Sequence, residues 1–92
     1  MKLVYESDLE KLLISRCASC GALCIKVGYD GWPDRLVILP GCPQPIWVEL
    51  KREDGKLSEM QKWRKKQLEG VGQRVVVPYS KRDVIDMFSR DV

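Results

Sequence analysis

Residues 33–51, PDRLVILPGCPQPIWVELK, decide the fold, because two apolar runs flank a short turn rich in proline. This arrangement predicts a β-hairpin. The hairpin carries charges that a strand buried on both faces should avoid. Asp34 stands just before the first apolar run, and Glu49 and Lys51 lie inside the second. Because side chains alternate along a strand, Glu49 and Lys51 share one face.

The length of the hairpin loop predicts where Asp34 lies relative to these two residues. In an antiparallel pair the numbers of opposed residues have a constant sum, and a loop of even length centred in PGCPQP makes that sum odd. An odd sum places Asp34 opposite Lys51 or Glu49 and on their face, whereas an even sum sends it to the other face.

Two neighbouring carboxylates repel each other unless one is protonated or a cation lies between them. Oxygen ligands without histidine favour Mg²⁺ or Mn²⁺ over zinc. A lysine beside such a pair can stabilise negative charge that develops on a phosphate. Metal-assisted hydrolysis of a phosphodiester bond is therefore one hypothesis for this hairpin. The alternative is that E-x-K is an ordinary ion pair on a strand face exposed to water.

The remaining chain predicts helices on both sides of the hairpin. Ser7 is the expected N-cap of the first helix and Gly21 its stop, and Ser58 is the expected N-cap of the second. An α-β-β-β-α-β-α order fits an α/β fold with a mixed sheet. The predicted elements are helix 7–20, strands 22–27, 35–39 and 46–51, helix 59–69, strand 74–79 and helix 81–90.

The composition of the chain predicts a single compact domain over residues 1–92, since 45% of the residues are hydrophobic. No apolar run approaches the roughly 20 residues that cross a bilayer, and the charged beginning does not resemble a secretory signal. We therefore expect a soluble protein of the cytoplasm with no membrane partner. A core of this size also makes self-association a reasonable expectation.

The chain has four cysteines, at positions 17, 20, 24 and 42, and no histidine. Cys17 and Cys20 form one C-x-x-C pair, the spacing that can begin a zinc site. Both also fall on the apolar stripe of the first helix, where cysteine acts as a small hydrophobic residue. We expect buried cysteines and no structural zinc, with a four-cysteine metal site as the lesser alternative.

Basic residues are concentrated after the hairpin, where residues 51–66 hold seven Lys or Arg and three acids. A solvated helix face is the ordinary explanation for such a run, and a phosphate-binding surface is the alternative. The three tryptophans are expected in the core or in an interface rather than as platforms for nucleobases. The candidate nucleic-acid contacts are Lys26, Arg35, Arg52, Lys62, Arg64, Lys65 and Lys66.

Several motifs together resemble a known nuclease family. Pro33-Asp34 followed by Glu49-Leu50-Lys51 is similar to the PD-(D/E)xK signature. The stretches ESDLEKLL, GWPDRLVILPG, IWVELK, KLSEMQKWR and RVVVPYSKRDV resemble, in that order, a stand-alone VRR-NUC domain of the phage and bacterial type. The resemblance implies a restriction-endonuclease-like αβββαβ core, with a mixed four-stranded sheet flanked by helices, plus a C-terminal helix.

The resemblance also implies roles for particular residues. Lys51 would be the catalytic lysine, and Glu10 the leading acid that approaches the metal directly or through a water. Gln61 would be the glutamine on the helix after the E-x-K strand. The implied metal ligands are Asp34, Glu49 and the backbone carbonyl of Leu50.

Helix capping competes with two of these roles. Ser7-x-x-Glu10 and Ser58-x-x-Gln61 both fit a capping box, in which the third helical residue bonds back to the cap. Capping alone could therefore explain Glu10 and Gln61, and Glu6 is a possible substitute for Glu10.

The function that the resemblance implies is a Mg²⁺- or Mn²⁺-dependent endodeoxyribonuclease. It would act as a homodimer on branched DNA such as four-way (Holliday) junctions. The alternatives are a flap or nicking nuclease with the same site, a non-catalytic nucleic-acid-binding module, and an adaptor resembling a zinc ribbon.

Overall fold

The structure is a computed structural model, and it describes residues 3 to 88. Four strands lie in the order β1-β2-β3-β4, with the first three antiparallel and β4 parallel to β3. The α/β fold with a mixed four-stranded sheet and flanking helices is thus confirmed. The elements are α1 (Glu6–Cys20), β1 (Leu23–Lys26), β2 (Arg35–Ile38), β3 (Ile46–Val48), α2 (Glu59–Gly70), β4 (Arg74–Val76) and α3 (Lys81–Phe88).

One face of the sheet forms the core with α1 and α3. The strand register places Val37 beside Ile46 on this face, and both side chains are fully buried. Leu9 and Leu13 of α1 join the same cluster, as does Val84 of α3. Burying such side chains contributes about 1.5 to 3 kcal/mol each. The last two residues of the predicted third helix, 89 and 90, lie outside the described residues.

The first helix begins two residues earlier than the capping pattern predicts, because its N-cap is Tyr5 and not Ser7. It starts at Glu6, and the carboxylate of Asp8 accepts a hydrogen bond from the Tyr5 backbone N–H at 3.0 Å. The prediction that Ser7 is the N-cap is therefore wrong, because Asp8 already occupies the third helical position and bonds back to the residue before the helix. Gly21 ends the helix with a left-handed φ of 76°, as predicted. The side chain of Glu10 is not needed for capping.

The strand that carries the E-x-K motif is shorter than predicted, since β3 ends at Val48. The chain then continues along β4. The backbone N–H of Glu49 donates to the Val76 carbonyl at 3.0 Å, and that of Lys51 donates to the Pro78 carbonyl at 3.2 Å. Residues 49–51 thus extend the parallel pairing with β4 after the ladder with β2 has ended.

The cysteines are divided between the core and the surface. Cys17 is buried, and burial raises the pKa of its thiol to about 12. Cys24 and Cys42 pack against the core, while Cys20 is exposed rather than buried as predicted. In the described part of the chain, no helix has the length and the apolarity that crossing a membrane requires.

Candidate active site

The candidate site forms where β2 and β3 separate. Arg35 pairs with Val48, which gives the odd sum that the hairpin loop predicts. One step further along the same register, Asp34 lies opposite Glu49. The Asp34 carboxylate accepts a hydrogen bond from the backbone N–H of Leu50 at 2.8 Å. This bond turns Asp34 toward the segment that carries Glu49 and Lys51.

Glu49 is the one charged side chain that is buried among residues 3–88, with 5% of its surface exposed. Its burial, followed by the neighbouring carboxylate of Asp34, raises the pKa of Glu49 from 4.5 to about 8, while Lys51 acts in the opposite direction. Without a cation, the Glu49 carboxyl is therefore largely protonated at neutral pH and hydrogen-bonds to Asp34. Among the same residues, Lys51 forms no ion pair within 4 Å.

A single amide, that of Gln61, joins the start of α2 to the site. Its Oε1 accepts a hydrogen bond from the Ser58 backbone N–H at 2.8 Å, and its own backbone N–H donates to Ser58 Oγ at 3.1 Å. The Nε2 group of the same side chain donates to Glu49 Oε2 at 3.1 Å. Capping and contact with the site therefore occur together rather than as alternatives.

These two roles of Gln61 can be separated by comparing Ser58→Ala with Gln61→Ala. Each substitution weakens the cap and is expected to lower the free energy of unfolding by about 1 kcal/mol. Only Gln61→Ala removes the bond that orients Glu49, so we expect it to reduce cleavage per folded molecule about tenfold or more. Thermal unfolding and single-turnover cleavage measure the two effects. Equal turnover in both variants would mean that Gln61 acts only in capping.

The first helix brings two acids to the other side of the site. Glu10 accepts a hydrogen bond from Arg35 Nε at 3.0 Å. Together with Glu6, Ser7, Asp34 and Leu50, Glu10 lines a cavity of about 160 Å³. Glu6 also contributes to the raised pKa of Glu49. Ser7 is not among the predicted site residues, and Glu6 is predicted only as a substitute for Glu10. Glu6 and Glu10 are four residues apart and so share one helix face, which could have indicated both acids.

Arg35, a candidate phosphate contact, has an acidic partner within the protein. Its side chain is only 14% exposed and is paired with Glu10. The arginine that directly follows the Pro-Asp motif thus holds the acid of α1 in place.

The other candidate phosphate contacts are paired with acids, exposed, or placed over aromatic rings. Lys62 pairs with Glu59 at 3.1 Å and Lys65 with Glu69 at 2.9 Å. Arg52 binds the carboxylate of Asp54, with one bond of 3.1 Å. Lys26 and Lys66 are exposed, and Arg64 lies over the rings of Trp32 and Trp63.

The chemistry of this site fits a hard divalent cation. Within residues 3–88, no group of three or more His, Cys, Asp or Glu is placed to hold a metal ion. The protein ligands that the side chains of this site can offer are therefore two carboxylates. Mg²⁺ commonly binds through one or two carboxylates and keeps several waters. A buried carboxyl that keeps its proton beside a second carboxylate is a site at which a cation can replace that proton. Asp34 and Glu49 would hold Mg²⁺ or Mn²⁺, and the Leu50 carbonyl remains a predicted ligand.

A carboxylate pair with an adjacent lysine, set on a mixed α/β sheet, is the arrangement that the sequence predicts for a nuclease-type domain. A solved structure described as a VRR-NUC domain is similar to this chain over 97% of its length and 100% of the solved chain, with 26% identity and a TM-score of 0.84. This match confirms the resemblance to VRR-NUC domains. No protein-family model and no curated protein matches the sequence.

Proposed function

We propose that the protein is a Mg²⁺- or Mn²⁺-dependent endodeoxyribonuclease that hydrolyses phosphodiester bonds. The observation that carries this proposal is the buried Glu49 next to the carboxylate of Asp34, beside a lysine that forms no ion pair within residues 3–88. A protein that only binds DNA gains little from two acids placed close to phosphates. The similarity to a VRR-NUC domain supports the same reaction class.

Each residue has a defined task in this reaction. A bound cation would polarise the phosphate and lower the pKa of a water. Lys51 would stabilise the negative charge that develops on the phosphate, and its ammonium is not already neutralised by a neighbour within the described chain. Gln61 holds the Glu49 carboxylate in one orientation. Arg35 holds Glu10 at the edge of the cavity.

We propose a symmetric homodimer that acts on branched DNA, including four-way junctions. A symmetric dimer presents two equivalent sites, which suits a junction with two related strands. The edge strand β1 supports self-association, because Leu23 is 59% exposed and Ile25 is 45% exposed. The register places both on the sheet face away from the core, beside Leu36 and Ile38 of β2. Apolar side chains exposed in this way on an edge strand favour contact with a partner chain.

The test is cleavage of labelled four-way junction, flap and linear duplex by wild type, Lys51→Ala and Lys56→Ala in Mg²⁺, Mn²⁺ or EDTA. We expect cleavage of branched DNA only with a cation, and a loss of a hundredfold or more in Lys51→Ala. Lys56 is an exposed lysine on the same connection, so Lys56→Ala is the control and should cut normally. Sedimentation of the same preparation should give about twice the chain mass of 10.6 kDa.

Three results would change the proposal. Equal cleavage by wild type and Lys51→Ala would remove the lysine from the reaction. Preference for the flap over the junction would assign the same chemistry to a different DNA structure. Metal-independent binding without any cleavage would indicate a nucleic-acid-binding module.

A further inference from the structure

Trp63 exposes a large aromatic surface on α2, so it does not belong to the core. It is 53% exposed, and its neighbour Met60 is 54% exposed. Trp32 and Trp47, in contrast, are packed together with their ring centroids 5.5 Å apart. An exposed tryptophan at this position therefore needs an explanation other than the core.

The exposed ring is held in position by a stack of side chains. The guanidinium carbon of Arg64 lies 4.9 Å from the centroid of the Trp63 ring and 4.2 Å from that of Trp32. Trp32 in turn packs on Trp47, whose Nε1 donates to Gln73 Oε1 at 3.0 Å. Arg64 thus links the exposed ring to Trp32 in the turn before β2, and through it to Trp47 on β3. A ring held in this way loses little further conformational freedom when a ligand stacks on it.

The surroundings of Trp63 form a groove that adjoins the candidate active site. The groove has a volume of about 510 Å³, within the usual range for a ligand pocket. Two of its lining residues, Leu57 and Lys65, also line the small cavity behind Glu49 and Gln61. A group bound in the groove would therefore lie next to the cavity that Glu49 and Gln61 line. The groove is lined by Leu57, Glu59, Lys62, Trp63, Lys65, Lys66 and Glu69.

The excess positive charge and the exposed aromatic ring of the groove together favour an anionic polymer that carries flat rings. Two of its lysines pair with its two glutamates, so Lys66 is left as the excess positive charge. A neutral nucleobase can stack on the tryptophan while its phosphate lies near Lys66. An acidic protein segment would use the lysine but gains less from an aromatic ring.

We propose that Trp63 is a stacking platform for an unpaired nucleobase at the branch of the DNA substrate. The proposal rests on the proposed function and extends it, since it names the element of the substrate that α2 recognises. A base inside a continuous duplex is already stacked on its neighbours and cannot use the platform, whereas a base at a branch or flap can. The residue therefore contributes selectivity for DNA structure.

The test is DNA binding in EDTA, where no cleavage takes place. Wild type, Trp63→Phe, Trp63→Leu and the control Val71→Ser are titrated against a four-way junction, a junction with one unpaired base at the branch, and a continuous duplex. Val71 is 74% exposed and lies at the end of α2, so its substitution controls for the loss of an exposed apolar side chain. Stacking predicts that Trp63→Leu binds the unpaired-base junction about 5- to 100-fold more weakly, and the duplex with unchanged affinity. Trp63→Phe should retain most of the affinity because it keeps an aromatic ring.

Several outcomes would overturn this proposal. They are an equal loss on duplex and junction, an equal loss in the phenylalanine and leucine variants, and a change only in sedimentation, which would assign the surface to protein contacts. Cleavage assays on the same variants separate this proposal from the proposed function. If wild type cuts normally and Trp63→Leu binds the unpaired-base junction as tightly as wild type, only the platform is rejected. If wild type never cuts but Trp63→Leu binds that junction more weakly than wild type, only the nuclease is rejected.

Discussion

Glu49→Gln is expected to abolish metal-dependent cleavage while making the metal-free protein more stable. The substitution removes a negative charge that a cation would need, and we expect cleavage to fall by a thousandfold or more. It leaves the local hydrogen bonds available, because the new amide can accept from Gln61 Nε2 and donate to Asp34. It also removes a buried group that ionises only at a cost.

The control for this substitution is Glu53→Gln, which changes an exposed glutamate on the connection between β3 and α2. Both variants are compared with wild type in cleavage rate and in urea unfolding in EDTA. Glu53→Gln should cut at the normal rate and change the stability little. A Glu49→Gln variant that cuts normally, or one that is less stable than wild type at pH 8, would contradict the assignment.

The stability of the metal-free wild type is expected to fall as the pH rises from about 4.5 to about 8. The pKa of Glu49 is higher in the folded chain, about 8, than its ordinary value of 4.5, so the folded state holds a proton that the unfolded state releases over this range. The contribution is complete below 4.5 and is lost as the pH passes through the folded pKa. The full effect is at most about 5 kcal/mol.

Unfolding in EDTA at a series of pH values measures this effect, and subtracting the curve of Glu49→Gln isolates the contribution of Glu49. The difference between the two proteins should widen with pH and level off above pH 8. Adding Mg²⁺ at pH 8 should raise the stability of wild type alone, because a cation favours the ionised pair. Parallel curves for the two proteins would show that Glu49 does not titrate as the structure indicates.

The register of the hairpin could be predicted from the sequence because it depends on local features. The loop contains prolines that confine the turn, and the parity of its length decides which face Asp34 occupies. The same reasoning could not show that β3 ends at Val48, since the end depends on pairing with β4, which is far away in the sequence. Periodicity cannot report contacts between distant segments.

The candidate site was less predictable where two local patterns competed. The S-x-x-E pattern of residues 7–10 fits a capping box that uses the carboxylate of Glu10. The helix is capped instead by the carboxylate of Asp8, which accepts from the Tyr5 backbone N–H. The sequence pattern predicts Gln61 as either a cap or a site residue, and its amide has enough donors and acceptors for both roles. The partner of Arg35 is a helix residue 25 positions away, which no local pattern indicates.

The bond from the Leu50 backbone to Asp34 places a restriction on how this motif can vary among related sequences. The middle position of E-x-K is written as x, which suggests that any residue is acceptable there. Burial limits the side chain at position 50, since Leu50 is 2% exposed, but the hydrogen bond limits the main chain. Proline has no N–H and would leave Asp34 without its anchor even if its ring could be accommodated. Natural variants of this protein should therefore carry many different apolar residues at position 50, but proline should not occur there.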